Sequence, residues 1–130
     1  MHPNEAATIR AFIALNRRDR WLDKLAGRHR RSFLDRLNHC HDFDERHGTA
    51  LAATGDALAM LRSRGAPLTC RIISDEARLD ERAMPLDEAI AEVEVADFGT
   101  LICCIPGRLA YYRGEAGTQW RLLLERLDTA

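Results

Sequence analysis

Lysine is nearly absent: of 19 basic residues only Lys24 is not arginine. That bias reads as the codon usage of a GC-rich, bacterial genome and not as a functional signal. No apolar run approaches the roughly 20 residues a membrane helix needs, and the opening MHPNEAATIRAFIALNRRDR lacks the basic-then-apolar order of a secretory signal. A cytoplasmic protein with no membrane association is therefore expected. Cysteine is sparse, and three of the four, Cys70, Cys103 and Cys104 but not Cys40, fall in predicted strands, which is not the framework of a disulfide-stapled secreted fold. The chain has no Cys-x-x-Cys pair, no His-Glu-x-x-His, no glycine-rich phosphate loop and no internal repeat. No motif names a reaction, and no cofactor is expected.

What is present is enough for one core. A chain of 130 residues is about one domain, read here as 1–130 with a helical half over about 1–66 and a sheet half over about 67–130. The hydrophobic period changes near Pro67. Ile9, Phe12 and Ile13 lie at helical spacing; Asp19 is placed to cap a second helix ending before Gly27; Ser32 with Asp35 resembles a capping box; and Thr49 to Arg64 reads as a further helix stopped by Gly65 and Pro67. Residues 42–48 are polar and read as a loop. The predicted core includes Phe12, Leu34, Leu37, Leu58, Leu61, Ile72, Ile90, Ile102 and Leu109.

From Leu68 onward the pattern favours strands. Leu68 to Ser74 and Thr100 to Ile105 are short apolar runs suited to central strands. Between them, Leu86, Ile90 and Val93 recur as a helix face after Pro85. Strand, crossover helix, strand with the two strands parallel is the reading. Pro106-Gly107 suits the centre of a type II turn with a link longer than two residues, Leu109 to Arg113 is a third strand, and Gln119 to Glu125 a possible fourth. The fold class is thus α+β, N-terminal helices packed on one face of a small mixed sheet.

Net charge is −1, but the signs are segregated. Residues 1–36 carry nine basic against four acidic side chains, and residues 67–100 carry three against nine. Either the basic region faces an anionic partner, protein or nucleic acid, through Arg17, Arg18, Arg20, Arg28, Arg30 and Arg31, or the two regions pair within the fold. A second candidate follows from topology. If the first two long strands are parallel, their carboxyl ends bring Ser74, Asp75, Asp80 and Arg108 together as a site for a polar ligand. The third is the cluster His39, His41, Asp42, Asp44 and His47, whose donors suit a transition metal but match no zinc spacing; its packing reading makes Asp42 or Asp44 a turn cap and His41 a packed histidine. Tyr111, Tyr112 and Trp120 are read mainly as packing residues, and Cys103-Cys104 as buried small side chains on opposite strand faces.

Two functions stay open. The favoured one is a non-enzymatic interaction or regulatory domain with a basic N-terminal face. The alternative is a metal-dependent hydrolase, acting on phosphodiesters, that uses the His39 to His47 cluster; a general acid or base would need an orienting partner and a pocket that the sequence does not display.

Overall fold

A computed structural model of the chain describes residues 1–52, 54–115 and 121–127. Among these, α1 (Pro3–Phe12), α2 (Leu15–Ala26) and α3 (Arg30–Phe33) lead into 3-10 turns at Leu34–His39 and Glu45–His47. There follow β1 (Gly48–Ala50), α4 (Ala57–Ser63), β2 (Thr69–Ser74), β3 (Ala83–Pro85), α5 (Leu86–Glu94), β4 (Thr100–Ile105), β5 (Leu109–Arg113) and β6 (Arg121–Glu125). The six strands form one sheet in the order β1-β6-β5-β4-β2-β3, and every pairing is antiparallel.

The parallel pairing expected for the two long central strands is therefore incorrect. β2 and β4 run antiparallel, with Ser74 opposite Thr100 and Arg71 opposite Cys103. The reason is β3, which lies between β2 and α5 and was not expected. It turns back along β2, placing Pro85 opposite Thr69. α5 then starts at that end and carries the chain about 13 Å, at 1.5 Å per residue, towards the Ser74 end where β4 begins. One extra reversal converts a parallel crossover into an antiparallel one. Pro85 is tolerated because β3 is an edge strand, where a missing N–H leaves no ladder bond broken.

The helices also divide differently from the expectation. α1, α2, α3 and the first 3-10 turn cover one sheet face, burying Phe12, Trp21, Phe33, Leu34 and Leu37 against Ile73, Leu101, Cys103 and Tyr112. α4 belongs to the first half of the chain yet packs with α5 on the other face, where Leu61, Leu86, Ile90 and Val93 meet Ile72, Ile102, Cys104 and Tyr111. The sheet is sandwiched, so its central strands are buried on both sides. All nine expected core residues are buried except Leu58, which is partly so.

Other local readings need correction. α2 begins at Leu15, so Asp19 lies inside it. Ser32 does not cap; its hydroxyl donates to the His29 carbonyl at 3.0 Å. The helix expected from Thr49 starts only at Ala57, capped by Asp56, because Gly48 to Ala50 are drawn into pairing with Leu122 to Leu124. The Pro106-Gly107 turn is as expected: Gly107 has φ 73° and the Arg108 N–H reaches the Ile105 carbonyl at 3.0 Å, and a three-residue link joins β4 to β5. Residues 116–120, the later part of the β5–β6 link with Trp120 and the expected strand start at Gln119, lie outside the described residues.

Candidate functional site

The six arginines of the basic region separate into three environments. Arg30, at the first position of α3, is turned into the protein. Its Nε and Nη2 grip both oxygens of Asp80 at 2.9 Å and its Nη1 reaches Glu5 Oε1 at 2.9 Å. Glu5 is fully buried on α1, and its other oxygen accepts from Arg71 Nε at 2.9 Å. Burial alone would depress the Arg30 pKa, but the bonds to Asp80 and Glu5 outweigh it and hold the guanidinium above its ordinary value. Arg31 meets Asp80 at 3.1 Å and donates to the carbonyls of Ser74 and Asp75.

Arg17 and Arg18 are only loosely engaged. Arg17 lies 3.9 Å from Asp42 and is half exposed, while Arg18 donates to the Ile13 carbonyl at 3.2 Å. Arg20 and Arg28 are exposed, and among the described residues neither they nor Lys24 form an ion pair. Arg20 and Lys24 are one helical turn apart on α2, on the side that faces α3. With His29, Ser32 and Arg36 they border a shallow groove of about 350 Å³ whose floor is Phe33 and whose rim includes Asp35. Arg36 is oriented there by Asp42 at 3.4 Å and lies 5.2 Å above the Phe33 ring, and that ring packs edge-on against Trp21.

Of the ligand-binding set, Ser74, Asp75 and Asp80 are brought together and Arg108 is not. With β2 and β4 antiparallel, the β4–β5 turn that carries Arg108 sits at the opposite end of the sheet. The three that meet are turned towards the protein's own groups. The Ser74 hydroxyl is shared with Thr100 at 2.8 Å, Asp75 accepts from Asn38 at 2.8 Å, and Asp80 accepts the Ser74 N–H besides Arg30 and Arg31. They act as a clasp joining β2, α3 and the loop before β3.

The metal-capable cluster does not converge, and among the described residues no group of three or more His, Cys, Asp and Glu side chains is arranged to hold an ion. Asp42 is buried and accepts from the Trp21 indole at 2.9 Å. Asp44 caps the turn at Glu45–His47 and is held by Arg46, whose bonds lower its pKa to about 2. His47 comes only within 4.0 Å of Asp44, and His39 pairs with Glu115 at 2.6 Å. His41 is exposed, so its packing reading is incorrect as well. It borders, with Phe43 and Asp44, a pocket of about 280 Å³ beside β1. The cause is a break at Cys40, where the backbone turns extended; only an unbroken helix would carry Cys40, Asp44 and His47 on one stripe.

All four cysteines are buried and unbridged. Burial pushes the thiols of Cys40, Cys70 and Cys103 up from 9.0 to about 12, so none has the thiolate character of a nucleophile. In the unfolded chain these groups lose protons near 9; folded, they keep them. Stability present at neutral pH should therefore fall between about pH 9 and pH 12. Melting temperatures compared at about pH 7 and about pH 10, with a Cys103→Ala variant as control, check this. An alkaline loss of melting temperature is the expected result.

Sequence reasoning did not single out Lys24, His29 or Arg36, although the spacing of Arg20 and Lys24 was available. It also missed a second charged cluster, in which Glu94 accepts from the Tyr111 hydroxyl at 2.7 Å and meets Arg121 at 3.2 Å and Arg113 at 3.4 Å. Arg121 continues to the carbonyls of Ala52 and Gly55, so this cluster fastens the segment before α4 to the sheet. Compared with protein-family models, curated proteins and solved structures, the chain matches none.

Proposed function

We propose that the protein is a non-enzymatic interaction domain that engages an anionic partner through the outer surface of α2 and α3. The observation that carries this reading is the positive charge of Arg20, Lys24 and Arg28, which form no ion pair among the described residues, continued by half-exposed Arg17. Glu5 and Asp80 do not offset it, because they are already occupied by Arg30, Arg31 and Arg71. Catalysis finds less support, since the buried thiols resist ionisation and Asp42, Asp44 and Asp80 are tied to arginines.

The test is salt-dependent binding to immobilised polyanions. Wild-type protein should bind at low salt with affinity that declines as salt rises, because released counterions drive the association. Arg20→Ala, Lys24→Ala and Arg28→Ala together should flatten that dependence. Their effect on stability should stay within about 0.5 kcal/mol per site, since Arg20 and Arg28 are exposed, Lys24 is half-buried, and none forms an ion pair among the described residues. Absence of binding to every polyanion at low salt would remove the proposal.

A further inference from the structure

We infer that the groove between α2 and α3 receives an extended, carboxylate-rich segment of a partner protein. This rests on the anionic-partner reading and narrows it to one place and one chemistry.

The groove has cations on both walls. Arg20 and Lys24 lie on α2, about 6 Å apart along the axis at four residues of 1.5 Å. An extended chain places alternate side chains about 6.6 Å apart on one face, so carboxylates at positions i and i+2 match that pair. Arg36 faces them from the other wall. One of its nitrogens donates to Asp42 and its guanidinium carbon lies over the Phe33 ring, so the side chain is held from two sides before a ligand arrives. A planar guanidinium fork matches a carboxylate's two oxygens, which an ammonium cannot do.

The same surface is poorly suited to nucleic acid. Asp35 stands on the rim, and Asp19 and Asp23 form an exposed stripe on α2 beside Arg20 and Lys24. A phosphate backbone, charged at every residue, would run against these acids, whereas a peptide can place neutral or basic side chains opposite them. Single-stranded bases also need an aromatic platform. Phe33 is only 8% exposed, and its ring already packs against Trp21 and Arg36.

The experiment measures fluorescence anisotropy of a labelled peptide of alternating glutamate and serine with the full chain at low salt. The comparison probes are the glutamine-for-glutamate peptide and an oligothymidylate of equal nominal charge. The glutamate peptide should bind best and the glutamine peptide not at all. Joint Arg20→Ala and Lys24→Ala should weaken binding about tenfold, and Arg36→Lys about fivefold although it keeps the charge. Arg62→Ala, exposed on α4 over the opposite face of the sheet, should change it less than about twofold. Circular dichroism and melting of each variant show whether it remains folded. If the oligothymidylate binds and the glutamate peptide does not, the inference falls while the anionic-partner reading stands; if neither binds, both fall. Peptide binding that is indifferent to Arg36→Lys also overturns the inference, since it would then rest on charge alone.

Discussion

Replacing Arg30 with methionine should destabilise the protein by about 3–5 kcal/mol, the cost of leaving buried charge without its partner. Arg30 is 7% exposed and bridges two acids, one of which, Glu5, is fully buried. Methionine can fill part of the volume but none of the five hydrogen-bonding positions. Asp80 would keep Arg31, and Glu5 would keep Arg71, so each acid loses its most enclosed partner without becoming wholly isolated. Adding Asp80→Asn to Arg30→Met removes one uncompensated charge, and the pair should cost less than the sum of the two single changes. Urea unfolding of the four species measures this. A loss under about 1 kcal/mol for Arg30→Met would mean the charges are solvated on its removal and the clasp is dispensable.

Gly99→Ala should be comparably damaging for a purely steric reason. A Cβ at this position would lie 2.1 Å from the carbonyl carbon and oxygen of Leu37 and 2.5 Å from the amide nitrogen of Asn38. These are backbone atoms of a turn that is pinned in place. The Gly99 N–H donates to Asn38 Oδ1 at 2.6 Å, and the Tyr112 hydroxyl donates to the Leu37 carbonyl at 2.5 Å. Making room would break both, so a loss of about 3 kcal/mol or more is expected, the upper part of the range for overpacking. Gly65→Ala is the informative control. Gly65 has φ +89° but nothing within 4 Å of the added atom, so it should lose only about 1 kcal/mol of backbone strain. Equal effects from the two substitutions would contradict the close approach at Gly99.

The change of period near Pro67 was enough to recover α+β, the two central strands and the face of α5, because those segments carry enough apolar residues for their spacing to be decisive. β1 and β3 were not legible. Each is three residues long, too short to alternate visibly, and each forms because a neighbouring strand accepts it. Missing β3 alone reversed the expected direction of β4 and brought Arg108 to the wrong end of the sheet. For the site, the segregation of charge raised two readings, an internal pairing, which Arg30 and Arg31 form with Asp80, and an external face. The sequence could not divide Arg28 from Arg30 and Arg31, since three similar side chains in one connector differ only in the direction in which α3 starts. His39, His41 and Asp44 misled because composition records proximity along the chain, and the break at Cys40 sends them in different directions.

The sheet order makes β6 a keystone for a segment made long before it. β6 lies between β1 and β5, so Gly48 to Ala50 have no strand to join until Arg121 to Glu125 exist. During synthesis the segment from Gly48 must wait, as an unpaired stretch, while residues 51 to 120 are still being made. Ending the chain before residue 121 would not merely shorten the sheet: it would release β1, uncover the apolar row of β5 and remove the Arg121 anchor of Ala52 and Gly55. Such a protein should be cleared or aggregate rather than persist as a slightly smaller version of itself.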